Sequence, residues 1–450
     1  MQRAAPAFRG LAGADRSGDG DDHLIGDDED WEYYDDDDED WELISGGGGD
    51  SSLVDCPADR SKPLLSLPFG LETAMDAAVM PGLRARKSTT SSLAIPPTIH
   101  ELAAMSVDSS YAAVHRTLQE LSLRVPGFVP SKILEFGAGL APGAWAAQDV
   151  WPEAALEVVA VEPNEPMRSL GALICREAEA EAAGDERADA PPAVEWRREL
   201  PAETSEEVRG AQQPIDLVVA AHSLHLLPPA ALPAAVSQLW GRLGAGGVLC
   251  VASPATRPGF AATLAARDVL AATRDARLVA PFASAASDGW MEPGAPLQRW
   301  FRSRGSAREV QQFHTVQRLV ESRPRAYLHR LQRRKKERRE VREEVSYVIA
   351  QRVPDVAAAA AAAVPAPELV AADALAPESP AWARIVRPPR LRKGHVMMDL
   401  ATASGAVVEV TYAKRNTPRR CYRHARKALM GHAWHWPLPE EFGRKRSRRD

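Results

Sequence analysis

The chain has 450 residues, of which 45% are hydrophobic, with a formal net charge of -6, 36 prolines and four cysteines. That supplies core material for two or three domains, and no uninterrupted apolar run reaches the ~18 residues a membrane-spanning helix needs. Cys56, Cys175, Cys250 and Cys421 lie far apart with no CxxC pair, which argues against a disulfide framework and a local zinc site and makes a reducing compartment the default.

The modest net charge conceals an asymmetry: about -15 over residues 1–60, about -8 over 61–300 and about +17 over 301–450. A basic final third points to an anionic partner such as RNA, since each neutralised phosphate releases counterions. A solvated helix face accounts for the same charge.

In chain order, the stretch "MQRAAPAFRGLAGA" carries Arg3 and Arg9 ahead of the first acid, Asp15, and is compatible with a short transit peptide, though without a clear amphipathic stripe. Residues 27–52 follow with too much charge to bury anything, so the acidic N-terminus, 1–60, is expected to be disordered. It would either screen the basic C-terminal part before assembly or serve only as a solubilising tail. Residues 61–93 read as a linker with one short apolar segment. A helical extension spans 94–130: "AIPPTIHELAAM" opens it, and "SYAAVHRTLQELSLRVP" continues at helical spacing to its stop at Pro126.

Strands at 133–136, 157–161, 194–196, 215–220 and 247–251 then alternate with helical patterns over residues 131–280, which argues an α/β fold with a doubly wound parallel sheet. Residues 281–352 read as an insert with basic helices, helix-prone from 307 to 349 and broken near Pro324. An Ala/Pro-rich linker covers 353–380. Residues 381–440 alternate as a small β/α unit with Ser404 and Gly405 as its turn, and 441–450 is a basic tail that could also pass for a nuclear signal. No internal repeat is evident.

The chemistry centres on "EFGAGLAPG". Gly137 and Gly139 lack the Cβ that would block a close backbone approach, and the helix beyond offers N–H groups to a charged ligand. Glu162 ends the next strand 23 residues after Gly139, where an acid accepts hydrogen bonds from both ribose hydroxyls. A nicotinamide dinucleotide would use the same geometry. The E-x-G-x-G pattern, with Glu135 ahead of the turn, resembles class I S-adenosylmethionine-dependent methyltransferases, in which an acid at that place faces the methionine amino group. By that resemblance Glu135, Gly137, Ala138, Gly139, Glu162 and Pro163 form the cofactor site. The third small position is Ala141, followed by Pro142, which can start a helix.

Past the fourth strand the loop reads Ala221, His222, Ser223, Leu224, without the Asn-Pro-Pro-Tyr or Asp-Pro-Pro-Tyr that positions an amino group for methylation. No cysteine stands there as the nucleophile of a pyrimidine C5 methyltransferase. His222 is the one candidate general base, and a structural histidine is the alternative.

"ILEFGAGLAPGAWAAQDVWP", "VEPNEPMRSLGALI", "RPGF", "HTVQRL", "EEVSYVIAQR", "IVRPPRLRKGHVMMDL" and "YRHARKALMG" occur in that order. Over roughly residues 95 to 437 the chain resembles the mitochondrial small-ribosomal-subunit methyltransferase-like family. The resemblance implies a class I methyltransferase (Rossmann-like) core with a helical N-terminal extension and a small C-terminal β-containing unit. It also implies an assembly factor in the mitochondrial matrix that binds small-subunit rRNA and small-subunit ribosomal proteins, with S-adenosylmethionine optional and methyl transfer dispensable. Arg333, Arg334, Lys335, Lys336, Arg338 and Arg339, with Arg387, Arg390, Arg392 and Lys393, become the expected phosphate contacts. No membrane association or homo-oligomer is expected.

Two departures stand out. After the fifth strand Ser253 and Ala255 replace an acid and a glycine of the relatives. The family's four-iron, four-sulfur cluster would be ligated by cysteines at positions occupied here by Phe282, Ala295, Phe313 and Ala401. Phenyl and methyl groups cannot hold iron, so loss of the cluster is expected. The rival readings are an active rRNA methyltransferase and a small-molecule methyltransferase.

Overall fold

A computed structural model describes residues 65–87, 98–184, 191–200, 214–281, 315–333, 340–353, 382–402, 407–434, 436 and 438. Among these no helix is long and apolar enough to cross a membrane.

The helical extension is one helix. After the short α1 (Phe69–Ala78) and α2 (Met80–Lys87), α3 runs Ile99–Arg124. Its start is set by Thr98, whose Oγ1 accepts from Glu101 N while Glu101 Oε2 accepts from Thr98 N at 2.7 Å, a reciprocal capping box. The expected linker at 61–93 is corrected here: Leu65, Leu71, Met75, Val79 and Leu83 are all buried in the main core. Their spacing at 71, 75, 79 and 83 is helical. The hydrophobic face is short, which is why the sequence pattern was weak.

The core alternates β1 (Lys132–Phe136), α4 (Pro142–Val150), β2 (Glu157–Val161), α5 (Glu165–Gly184), β3 (Ala193–Arg197), β4 (Ile215–Ala221), α6 (Leu232–Trp240), β5 (Leu243–Pro254), α7 (Arg257–Ala271) and β6 (Ala276–Ala280). Two further strands, β7 (Thr315–Val320) and β8 (Glu340–Arg352), flank α8 (Arg323–Arg333). The main sheet runs β3-β2-β1-β4-β5-β8-β6, with β7 also on β8. β1 to β5 pair in parallel, whereas β8 is antiparallel to β5, β6 and β7. A parallel doubly wound sheet with one reversed strand inserted near its end is the class I methyltransferase architecture.

The helix-prone reading of 307–349 therefore fails at both strands. Local composition there is rich in Arg and Glu, and what makes β8 a strand is its burial between β5 and β6, a tertiary effect. The core accordingly does not end at residue 280 but is completed by β8.

Strand residues alternate between two apolar layers, as a pleated strand requires. Ile133, Leu217, Val219, Val248, Cys250, Tyr347 and Ile349 face α1, α3, α4 and α5, while Leu134, Val218, Leu249, Val251, Val348 and Ala350 face α6 and α7. The C-terminal unit is a second sheet: β9 (Ala383–Ile385), β10 (Arg390–Arg392), β11 (His395–Ala401), β12 (Val407–Ala413) and β13 (Ala433–Trp434), with α9 (Arg419–Lys427) laid on it. The turn expected at Ser404 and Gly405 lies outside the described residues.

The two sheets meet through a buried ion cluster. Glu120 on α3 accepts from Arg384 of β9, from Arg124 Nε at 2.9 Å and from the Tyr347 hydroxyl at 2.6 Å, with Arg116 Nη2 at 3.5 Å. Arg384 also donates to Gly431 O at 2.7 Å. Burial alone would raise the Glu120 pKa, but Arg384, Arg124 and Arg116 together drive it far below the usual carboxylate range. Arg384→Met is expected to cost about 3–5 kcal/mol, because it takes one cation from a buried carboxylate and leaves the Gly431 carbonyl without its donor; the urea midpoint measures it.

Asp108 on α3 is a contrasting case. It is fully buried, accepts from Ser322 N at 2.9 Å, and burial pushes its carboxyl up to about 6 despite Ser322 and Arg325. A folded pKa above the unfolded value means its contribution is present below pH ~4 and lost as pH rises through about 6. Asp108→Asn should therefore be more stable than the parent at pH 8, by on the order of 2 kcal/mol, with nearly all of the advantage gone at pH 3.5; unfolding curves at the two pH values test the sign.

Candidate functional site

The loops at the C-terminal ends of β1, β2, β4 and β5 meet, which is where parallel α/β sheets bind ligands. Gly137 has φ +67° and Gly139 φ +57°, left-handed values that a side chain strains. Gly137 N and Ala138 N donate to Val161 O at 2.9 and 3.0 Å, tying the turn to β2. A Cβ on Gly137 would lie 2.4 Å from the Cβ of Ser223, whereas one on Gly139 would meet nothing within 4 Å. Gly137 is thus spent on closing the β1 and β4 loops together, and the space over Gly139 is open.

Glu162 is buried, and both carboxylate oxygens are engaged: Oε2 accepts from Gly139 N and Oε1 from Asn164 N, each at 2.8 Å. Each oxygen keeps a lone pair for a further donor such as a ribose hydroxyl. Arg168, paired with Glu165, donates from Nη1 to the Glu162 carbonyl at 2.6 Å and fixes that corner. Pro163 beside it is exposed.

Glu135 is placed differently from the reading by resemblance. Its carboxylate is buried under α4, where Oε1 accepts from Gly143 N at 2.8 Å and Oε2 from Ala144 N at 3.1 Å. It caps that helix and takes up the N–H groups expected to serve a ligand. A Cβ at 143 would sit 2.7 Å from the Glu135 carboxyl carbon, so a side chain there would push that carboxylate off the amides it caps. Burial pushes the Glu135 carboxyl up to about 8 against the pull of the two amides. A pyrophosphate needs that helix N-terminus free. The dinucleotide reading is therefore disfavoured, while a ligand without phosphate is compatible with the same turn.

His222 has φ +49°, uncommon for a side-chain residue. Its Nδ1 lies 3.2 Å from Ser110 Oγ of α3, and its Nε2 is shut away from solvent without a hydrogen-bond partner. Burial and then His225 push its pKa down to about 4, so the ring is neutral near pH 7. Ser223 Oγ and Ser253 Oγ are likewise buried and unpartnered. Ser253 lies within β5, opposite Ser346 of β8, with no exposed surface. Sequence reasoning passed over Ser110 and Arg168: Ser110 gains its partner only where α3 meets the β4 exit, and Arg168 only where the start of α5 folds back on the end of β2.

The residues present fit S-adenosylmethionine: open space over Gly139 and free lone pairs on Glu162. Of the four positions expected to have lost cluster ligands, the structure describes only Ala401. At Ala401 a methyl group is buried in β11, and Phe282, Ala295 and Phe313 lie outside the described residues. Among the described residues no group of His, Cys, Asp and Glu is placed to hold a metal ion.

The expected phosphate contacts divide. Arg333 closes α8, while Arg334, Lys335, Lys336, Arg338 and Arg339 lie outside the described residues. Arg387 and Arg390 are committed internally. Asp399 and Glu409 stand opposite each other across β11 and β12, a like-charge pair that would repel. Arg390 bridges them, at 3.3 Å from Asp399 and 2.9 Å from Glu409, and Arg387 Nη1 is 3.7 Å from Asp399. Both arginines, half-buried, thus neutralise a buried carboxylate, which leaves them less charge to offer a phosphate than exposed, unpaired cations. Arg392 and Lys393 are exposed at the β10–β11 turn.

Glu135→Ala would leave Gly143 N buried with no acceptor, a loss of about 2 kcal/mol. Its expected signature is a lower thermal midpoint that Glu135→Gln partly restores.

The family described as Mitochondrial small ribosomal subunit Rsm22 matches residues 99–300 and 305–435. Among curated proteins, the human "Ribosome assembly protein METTL17, mitochondrial" is 30% identical over 168 residues, 37% of this chain and 34% of that protein. The Saccharomyces cerevisiae "Ribosome assembly protein RSM22, mitochondrial" is 43% identical over 53 residues, 12% of this chain and 8% of that protein. The matched stretches thus span well under two thirds of either relative. Among solved structures, the plantazolicin methyltransferase BpumL in complex with SAH overlaps at a TM-score of 0.30 and 9% identity, over 63% of this chain and 95% of that one, too loosely to add to the strand order. With the family matched over most of its length, this chain belongs to the Rsm22 family of mitochondrial small ribosomal subunit proteins.

Proposed function

We propose that this protein is an assembly factor of the mitochondrial ribosomal small subunit, acting in the matrix and bound to rRNA, with its methyltransferase fold serving as a platform. Membership of the Rsm22 family and the names of the two relatives support this. The observation that carries the platform reading is the exit of β4. His222, the one titratable group expected to act there, holds Nε2 closed from solvent, and no amino-group-positioning or nucleophilic side chain accompanies it. A proton-transfer group must reach its substrate, and a closed Nε2 offers no route to one in this conformation.

A second reading, an active rRNA methyltransferase, is favoured by the open space over Gly139 and the placement of Glu162. In either reading S-adenosylmethionine would lie across the β1 turn, its ribose hydroxyls donating to Glu162; bound there it supplies an electrophilic methyl group.

Calorimetric titration with S-adenosylmethionine, beside a Glu162→Ala control, tests the cofactor site: binding by the parent and at least tenfold weakening in the variant are expected. Sedimentation with small-subunit particles from mitochondrial extract tests the assembly role, and Glu162→Ala should still co-sediment. Failure of the folded parent to co-sediment would overturn that role. An rRNA methyl mark lost with Glu162→Ala would favour the enzyme instead.

A further inference from the structure

We infer that the exposed face of α9, continued by the β10–β11 turn and the end of β12, is the surface on which this protein takes the phosphates of an RNA backbone. The inference rests on the RNA-binding reading above and specifies its site.

From Val410 to Pro439 the chain has seven Lys and Arg residues and no Asp or Glu. In α9 the sequence RRCYRHARK separates into two faces. Cys421, Tyr422 and Ala425 are buried in the C-terminal core against Tyr412 and Trp434. Arg419, Arg423 and Arg426, at positions i, i+4 and i+7, form an exposed stripe with Lys427 beside it. Among the described residues none of these four side chains has an ion-pair partner. Like charges three and four apart repel, and arginines in a first turn oppose the helix dipole. A helix that only needed solubility would alternate signs. Here the repulsion is left uncompensated, which suits an anion supplied from outside.

The stripe does not stand alone. Just after β12 and before α9, Lys414 and Arg415 are both exposed, and Lys414 N donates to Gly394 O at 2.8 Å. That bond brings them beside Arg392 and Lys393 of the β10–β11 turn, which are also exposed and unpaired among the described residues. The result is a run of cations over the turn, the β12 end and the helix. Along α9 they recur about every turn, ~5.4 Å, a linear array suited to a strand of phosphates. Arg387 and Arg390, nearby in sequence, are excluded from the array by Asp399 and Glu409.

The test uses the full-length protein and a labelled transcript of mitochondrial small-subunit rRNA, titrated from 50 to 200 mM salt. The variant R419Q/R423Q/R426Q/K427Q is compared with the parent, with R419K/R423K/R426K, and with a distant control, R176Q/R274Q, whose arginines are exposed on α5 and beyond α7. The glutamine set should bind at least thirtyfold more weakly at 150 mM salt, and the slope of log affinity against log salt should fall by about 3. The lysine set and the control should stay near the parent. Equal far-ultraviolet spectra and melting midpoints confirm folding.

If the parent binds the transcript and the glutamine set matches its affinity and slope, this placement is overturned while RNA binding stands. If the parent binds no RNA, the underlying reading fails. Parental binding to anionic phospholipid vesicles without affinity for the transcript would reassign the surface to a membrane and overturn the proposal.

Discussion

Glu120 is the constraint on which the arrangement of this protein turns. A carboxylate in the middle of a long amphipathic helix is normally solvated, yet here it is buried and surrounded by Arg116, Arg124, Arg384 and Tyr347. Taking such charges out of water costs several kcal/mol each, recovered only when every partner is in place. The partners come from α3, from β8 and from β9 of the C-terminal unit, so the cluster is satisfied only when the helical extension, the main sheet and the second sheet have all assembled. An apolar contact would tolerate small shifts, whereas this network fixes one geometry. His432 adds a neighbouring link: burial, reinforced by Arg116, pushes its pKa down to about 3, and the neutral ring lies with Nε2 3.3 Å from Val316 O.

The cofactor edge illustrates how a fold can retain the shape of a site while changing what it offers. The glycine turn, the acid after β2 and the strand order are those of a ligand-binding α/β sheet. Glu135, however, satisfies the first amides of α4 from within, so the usual anion position of the helix is closed. What is left open lies over Gly139 and along Glu162. The β4 exit has unpartnered polar atoms but none with an evident path to a substrate. The fold alone does not carry the function; these particular groups do.

The C-terminal unit divides its cations by the same physical rule. Where β11 and β12 set Asp399 against Glu409, nearby arginines are drawn inward to neutralise them. Along α9 no acid among the described residues pairs with Arg419, Arg423, Arg426 or Lys427, and these cations remain on the surface. Charge counted along the sequence cannot tell these two fates apart, because the deciding acids are strand neighbours that lie 9 and 19 residues from Arg390.

By itself the sequence determined the parallel strands of the core, the turn with its two glycines, the acid after β2 and the helical extension before the core. Each is a short-range pattern: alternation, a backbone that must reach positive φ, apolar residues at helical spacing. The family was equally legible, through ordered motifs. Tertiary structure alone decided that 65–87 is core rather than linker and that β8 is a strand between β5 and β6. It alone decided that Glu135 points under a helix, and that Arg387 and Arg390 are inward while Arg392 and Lys393 are outward. In each of these cases the residue's state depends on a partner distant in the chain. Burial and charge pairing are set by which surfaces meet, and local propensity is too weak to oppose them.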